Sequence, residues 1–278
     1  MGNIVWLASY PKSGNTWFRV FLTNLLENRD TPANINKLYP TTIASSRYLF
    51  DTISGIPSAD LTITEIEYIR RENYIFESLN SNKTIFHKIH DAYIILSDGK
   101  PLIPSEATKC VIYFIRNPLD VVISFANHLG KNIDDVIEIM NNPDFSFCGS
   151  QNKLYNQTRQ KLLTWSMHVE SWVFQSKLPL IVVRYEDMVL NTFETFKSIV
   201  KFLKLNFDDK QIKKAIEFST FEILKSQEEK NGFSEKSMKT KQFFRKGKIN
   251  EWKEILKPSQ IKKIINSHSK LMKYFGYL

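Results

Sequence analysis

The sequence predicts an α/β fold, a central parallel sheet with helices on both faces, and three observations predict it. Short runs of four to seven residues, apolar without polar alternation, recur along the chain, as strands covered on both faces require. Between them lie segments whose apolar residues fall at intervals of three and four, the helical period. Strands alternating with helices make βαβ units, whose crossovers place neighbouring strands parallel.

The first run, Ile4-Val5-Trp6-Leu7-Ala8-Ser9-Tyr10, ends at Pro11 and reads as a buried strand. A tight turn through Gly14 follows, and Trp17, Val20, Phe21 and Leu25 then mark a helix over 16–27. Residues 28–57, rich in Asn, Thr, Pro and Ser, read as loop with short helical pieces. A helix over 62–79 turns Ile63, Ile66, Ile69 and Ile75 or Phe76 inward, and residues 84–88 form a second short strand. Cys110 to Ile115 is the clearest strand, and Pro118 then opens a helix at its favoured first position. Residues 141–157 read as loop, 159–175 as a helix with Leu162, Trp165, Val169, Trp172 and Val173 on one side, and 180–183 as another buried strand. From Asp187 onward the pattern is helical except over 231–244. No internal repeat and no Pro/Ser-rich linker interrupts the 278 residues, so a single domain over 1–278 is expected.

With 42% hydrophobic and 24% charged residues, the chain is neither disordered nor fibrous. Its net charge of +9 is localised: residues 225–278 carry 14 basic and 5 acidic side chains, and residues 1–224 carry 24 of each. Such a segment attracts phosphate, whether on nucleic acid, a membrane surface or a nucleotide. Cys110 and Cys148 build no disulfide framework, and no Cys/His spacing suits zinc. No basic leader precedes the first strand and no window reaches the roughly 18 apolar residues of a membrane span, so a cytoplasmic protein without membrane insertion is expected.

Ligands of parallel sheets bind at the carboxyl ends of strands, and three polar clusters sit there. Tyr10-Pro11-Lys12-Ser13-Gly14-Asn15-Thr16-Trp17 joins a strand to a helix through a glycine turn, which aims backbone N–H groups and the positive helix end at one spot. Lys12 adds a cation, and Ser13 and Thr16 add hydroxyls. The pattern is not GxxxxGK[ST], because the first glycine is absent and the lysine precedes the glycine. Taken alone, an ordinary turn with a solvated lysine remains open. Arg116-Asn117-Pro118-Leu119-Asp120, with Ser124 two turns into the next helix, places at a strand end an arginine able to grip phosphate, or equally a surface arginine. Lys88-Ile89-His90 follows the second strand; residues two apart face one side of an extended segment, so Lys88 and His90 can converge on one centre. An imidazole of ordinary pKa, about 6.5, suits proton abstraction near neutrality. Asp91 is placed either to orient His90 or to face solvent.

The octapeptide at residues 10–17 resembles the 5′-phosphosulfate loop of the cytosolic-type sulfotransferases, which use 3′-phosphoadenosine 5′-phosphosulfate (PAPS). Arg116 to Ser124 is similar to the family's 3′-phosphate segment, and Phe243-Phe244-Arg245-Lys246-Gly247 to its C-terminal Arg-Lys-Gly motif. There the family continues Gly-Asp-Trp-Lys, where this chain has Asn250-Glu251-Trp252-Lys253, which puts the local turn in question. Tyr185-Glu186-Asp187-Met188 and Ser219-Thr220-Phe221 resemble two further segments, so five occur in the family order across nearly the whole chain.

The resemblance implies a three-layer P-loop-like fold and in-line sulfuryl transfer from PAPS to a hydroxyl or amine of a small-molecule acceptor. The product is 3′-phosphoadenosine 5′-phosphate (PAP). It implies His90 as general base, Lys12 and Lys88 as charge stabilisers, and Lys12, Ser13, Gly14, Asn15 and Thr16 around the 5′-phosphate. Arg116, Ser124, Arg245, Lys246 and Gly247 would take the 3′-phosphate, and Trp17, Tyr185, Thr220, Phe221 and Phe244 the adenine. No metal is implied, and no carboxylate pair suits Mg²⁺. The family's Lys-x-x-x-Thr-Val-x-x-x-Glu dimer motif would begin at Lys253, but the chain reads Lys257, Pro258 and Lys262 at the later positions, which favours a monomer or weak dimer.

Acceptor specificity falls to the loops 28–57, 94–104 and 141–157, and residues 231–242 read as a lid ordered by nucleotide. Richness in Asn, Ile and Lys suggests an AT-rich bacterial source and a natural-product acceptor. Two alternatives stand beside this reading. A P-loop nucleotide kinase or hydrolase would turn over ATP with Mg²⁺. A basic nucleic-acid-binding module would lose affinity steeply with salt, but no aromatic-basic ladder supports one, so no nucleic-acid partner is expected.

Overall fold

The structure, a computed structural model, describes every residue except Met1, Pro40, Gln151, Met238 and Lys241. In chain order it runs β1 (Ile4–Ser9), α1 (Asn15–Glu27), β2 (Thr41–Ile43), α2 (Arg47–Ser54), α3 (Ile63–Leu79), β3 (Ile85–Ile89), β4 (Thr108–Ile115), α4 (Pro118–Leu129), α5 (Ile133–Asn141), β5 (Ser146–Phe147) and β6 (Gln160–Lys161). It continues through α6 (Trp165–Glu170), β7 (Leu180–Arg184), α7 (Tyr185–Leu190), α8 (Thr192–Phe202), α9 (Asp209–Glu217), α10 (Phe221–Asn231), α11 (Trp252–Ile255) and α12 (Pro258–Tyr274).

β2, β3, β1, β4 and β7 form, in that order, a central parallel sheet flanked by helices, as the sequence predicts. β1 pairs with β3 from Ile4 opposite Ile85 to Ala8 opposite Ile89. Since β1 lies between β3 and β4, strand order reverses at β1, and the loop leaving it starts where open α/β sheets hold ligands.

The chain separates into two compact units. The first comprises Met1–Tyr10, Thr41–Tyr113 and Asn141–Val182. All six residues of β1 are buried, which explains why its sequence shows no polar alternation. Trp6 packs edge-on against Tyr74 and donates from its indole to Thr108 Oγ1 at 2.9 Å. The helix expected over 159–175 starts later, at Trp165. Gln160 and Lys161 instead pair antiparallel with β5, and Thr164 caps the helix by accepting from Met167 N.

The second unit comprises Pro11–Pro40, Phe114–Met140 and Val183–Leu278. Its helices enclose a core of Val20, Ile35, Leu38, Leu224, Phe233 and Phe244, with Trp17, Phe221 and Phe243 packed against it. Residues 232–251 carry neither helix nor strand among those described. Among the described residues no helix is long and apolar enough to cross a membrane.

Candidate active site

Tyr10, Lys88, His90 and Asp91 lie in the first unit; the phosphate-loop residues from Lys12 to Trp17, Arg116, Ser124, Tyr185, Thr220, Phe221 and 244–247 lie in the second. In the second unit, Pro11 to Gly14 form the turn into α1. Gly14 sits at φ 101°, and a Cβ there would meet the Tyr185 ring at 2.8 Å, so both the backbone angle and the close approach require glycine. Gly14 is also the N-cap of α1 and supplies no side-chain cap, which leaves the first N–H groups of the helix for a ligand. Lys12 adopts φ 70°, a left-handed conformation uncommon for a side-chain-bearing residue. Its ammonium lies 3.7 Å from the centre of the Phe243 ring, a cation–π contact.

Arg116, one residue beyond β4, draws the separate motifs together. Its guanidinium donates to Lys12 O and to Ser124 Oγ, both at 3.3 Å, and to Lys248 O at 2.9 Å. It lies 4.2 Å from the centre of the Tyr185 ring. The loop after β1, the α4 segment, Tyr185 and the stretch after Arg-Lys-Gly therefore meet at one buried cation. Ser13 Oγ, Trp17 Nε1 and Arg116 Nε are buried without a hydrogen-bond partner among the described residues. Unsatisfied buried donors are costly, and Ser13 beside the open N-terminus of α1, with Arg116 bonded to Lys12 O, fits a bound anion.

The remaining predicted residues frame the same region. Trp17 packs edge-on to Tyr185 at 6.1 Å between ring centres. Thr220 is the N-cap of α10, and Phe221 packs so closely on Gly247 that a Cβ there would lie 2.6 Å from its ring. Gly247 has φ 65°, so the glycine of Arg-Lys-Gly is needed for backbone and packing alike. Asn250 replaces the family's glycine and adopts φ 63°, which asparagine tolerates better than most residues. Asp120 holds this turn by accepting from Asn250 N at 2.7 Å and Trp252 N at 3.0 Å, so the departure from the family pattern leaves an anchored turn.

The segment expected to act as a lid is tied at several points. Buried Arg19 makes a two-pronged ion pair with Glu235 at 2.7 and 2.9 Å. Glu228 accepts from Phe243 N and Phe244 N at 2.7 and 2.8 Å, and Asn127 Nδ2 donates to Gln242 O at 3.2 Å. Of this segment, residues 238 and 241 lie outside those described.

In the first unit, β3 carries Lys88, and His90 follows its end. His90 Nδ1 lies 2.8 Å from Ser9 O and 3.3 Å from Ser9 Oγ. A carbonyl only accepts, so Nδ1 carries the proton and the lone pair of the neutral ring is at Nε2. His87, the neighbouring alternative, is buried on the other face of β3 and bonded to Glu77 at 2.7 Å and Thr42 at 2.6 Å, a structural role.

Asp91 neither orients the His90 ring nor faces solvent. It is 1% exposed and forms a two-pronged pair with buried Arg70 at 3.2 and 2.9 Å, while its backbone oxygen accepts from Trp172 Nε1. The expected cost of Asp91→Ala is about 3–5 kcal/mol, because it strands a buried guanidinium. Urea unfolding of the two proteins measures it.

His168 carries no signal in the sequence. It lies among helical apolar positions, where histidine looks like filler. Its Nε2 donates to His90 O at 3.1 Å, and its Nδ1 accepts from Tyr113 Oη at 2.8 Å. Burial pushes His168 down to about 4. Stability that rests on this neutral ring is present above about pH 6.5, where an unfolded imidazole is also neutral, and is lost as pH falls toward 4, by up to about 1.4 kcal/mol per unit. Wild-type urea midpoints are therefore expected to drop more from about pH 7 to about pH 5 than those of His168→Gln. Equal drops would assign the acid sensitivity to other groups.

The chain is similar to known proteins over nearly its whole length. A sulfotransferase domain family model matches residues 3–276. Cytosolic sulfotransferase 12 of Arabidopsis thaliana is 25% identical over 272 residues, 93% of this chain and 74% of that protein. Sulfotransferase 2A2 of Rattus norvegicus is 28% identical over 255 residues, 89% of this chain and 76% of that protein. Two solved structures share the fold. Retinol dehydratase in complex with androsterone and the inactive cofactor PAP superposes with a TM-score of 0.62 at 19% identity, covering 98% of this chain and 81% of that one. Mouse sulfotransferase SULT7A1 complexed with PAP gives 0.60 at 20% identity, covering 97% and 84%. With the match running through nearly every residue, and through both units, the chain belongs to the sulfotransferase domain family.

Proposed function

We propose that this protein transfers a sulfuryl group from PAPS to a hydroxyl or amine of a small-molecule acceptor, the chain acting as one sulfotransferase domain over 1–278. The observation that carries the reading is the buried Arg116 guanidinium, bonded at once to the loop after β1, to Ser124 and to the segment after Arg-Lys-Gly. Two solved sulfotransferase-fold neighbours hold PAP, which supports a nucleotide of that kind. Retinol dehydratase has been solved with androsterone and with retinol, which supports an acceptor of small-molecule size.

In this reading the α1 N-terminus, with Ser13, Gly14, Asn15 and Thr16, holds the 5′-phosphate. Arg116, Ser124, Arg245, Lys246 and Gly247 hold the 3′-phosphate, and Trp17, Tyr185, Thr220, Phe221 and Phe244 frame the adenine. The donor supplies the activated sulfuryl group and its nucleotide leaving group. Nε2 of His90 accepts the acceptor's proton, its ring held by the Ser9 carbonyl at Nδ1. Lys12 and Lys88 stabilise the negative charge that develops as the bond to the leaving phosphate lengthens. Positioned charge supplies most of the rate, as in phosphoryl transfer.

Calorimetric titration with PAP, with Mg²⁺ and ATP, and with duplex DNA separates this reading from its rivals. PAP is expected to bind without metal, and ATP and DNA to leave that affinity unchanged. Tight ATP binding that requires Mg²⁺, or DNA binding that falls steeply with salt, would replace it.

A further inference from the structure

The two cations of Arg-Lys-Gly are already engaged by one carboxylate. Arg245 Nη1 lies 2.6 Å from Glu251 Oε1, the second terminal nitrogen of Arg245 meets Oε2, and Lys246 Nζ lies 2.8 Å from Oε1. The Glu251 side chain is 5% exposed, whereas Arg245 and Lys246 are 29% and 44% exposed. The carboxylate is thus the inner partner, capped by both cations. Burial raises its pKa, but the hydrogen bonds from Arg245 and Lys246 outweigh that and keep it ionised.

We propose that Glu251 is a displaceable internal anion, occupying the cations of the 3′-phosphate subsite and thereby setting the affinity for both donor and product. The proposal rests on the assignment of Arg245 and Lys246 to the 3′-phosphate. Both terminal nitrogens of Arg245 point at Glu251, so a phosphate taking them must take them from the carboxylate. A phosphate dianion is the stronger partner, but the exchange leaves a nearly buried carboxylate short of its hydrogen bonds, which costs binding energy. A nucleotide without a 3′-phosphate leaves the pair intact and incurs no such cost. PAPS and PAP carry the same 3′-phosphate, so the return of Glu251 to the cations favours departure of the spent nucleotide. The exchange does not require the turn to melt, because Asn250 N and Trp252 N are held independently by Asp120.

The test titrates the full chain with PAP and with adenosine 5′-phosphate, which lacks the 3′-phosphate, in wild type, Glu251→Gln and Arg245→Ala. Glu251→Gln is expected to bind PAP at least tenfold more tightly and release it more slowly, with adenosine 5′-phosphate unchanged. If PAP affinity is unchanged or weaker in Glu251→Gln while Arg245→Ala still loses PAP selectively, the competing role is overturned and the 3′-phosphate assignment stands. If Arg245→Ala weakens both nucleotides equally, or neither, the assignment fails and takes the proposal with it. Should Glu251→Gln not fold, Glu251→Asp keeps the test decisive. Its carboxylate is one methylene shorter, and PAP affinity is expected to rise in the same direction; no rise overturns the proposal.

Discussion

Lys12→Ala is expected to lower sulfuryl transfer by at least ~10²-fold, the scale of losing one preorganised charge stabiliser, and to weaken PAP binding as well. Both effects follow from where the ammonium sits. Lys12 belongs to the turn that presents the open N-terminus of α1, so its charge acts on a bound phosphate before as well as during bond breaking. Phe243 holds the ammonium at 3.7 Å, and Arg116 donates to the Lys12 carbonyl, so the residue is fixed at both its backbone and its tip. A glycine substitution separates charge from conformation. Because Lys12 adopts φ 70°, Lys12→Gly removes a backbone strain of about 1 kcal/mol together with the cation. It is expected to lose activity as Lys12→Ala does while unfolding at no lower urea concentration. Single-turnover rates with titration of PAP measure the first effect, and urea midpoints the second.

His90→Ala is expected to cost at least ~10²-fold in turnover while leaving PAP affinity unchanged, as loss of a general base does. The Ser9 carbonyl fixes the proton of the His90 ring on Nδ1, so the group that can accept a proton is Nε2. Removing it takes away proton acceptance and no nucleotide contact. Turnover of His90→Ala near the wild-type value, at matched acceptor concentration, would take the base role away from this residue. The readout must be kcat with saturating acceptor, since a change confined to KM would describe a binding residue instead.

Much of the fold is legible in the sequence because the strands nearest the sheet centre are buried on both faces. β1, with all six residues buried, is apolar up to its final Ser9, and β4 is apolar from Cys110 to Ile115, so neither shows polar alternation. β2 is not legible: it is three residues long with an exposed middle residue, and is set in a run of Asn, Thr and Pro. α2 is signalled only by its Ser46 cap, which accepts from Leu49 N, and by a single buried residue, Phe50. The pairing of Gln160 and Lys161 with β5 overrides the helical spacing of 159–164, because period alone cannot show that a partner strand lies alongside.

The loop after β1, the Arg116 segment and Arg-Lys-Gly are readable for a different reason. Each is a short contiguous stretch, and in two of them backbone angle and close packing demand the glycine, Gly14 and Gly247. What escapes the sequence is pairing between segments. Asp91 is adjacent to His90 in the chain, yet its carboxylate belongs to Arg70, twenty-one positions earlier. Glu251 shows in the sequence only as a departure from the family's Gly-Asp-Trp-Lys, and its ion pairs with Arg245 and Lys246 are visible only in the structure. Those pairs also alter the meaning of the C-terminal charge surplus, because two of its cations share one internal carboxylate. Lys12, Lys88 and Arg116 all come from the electrically balanced first 224 residues.

Incubation of the full chain with PAPS across phenols, alcohols, amines and sugars, reading released PAP and sulfated acceptor together, tests sulfuryl transfer itself. The expected result is PAP and sulfated product in equal amounts with at least one acceptor class, without added metal, and at least ~10²-fold slower in Lys12→Ala. PAPS left intact with every acceptor, while Mg²⁺ and ATP support phosphate release by the same preparation, would contradict it.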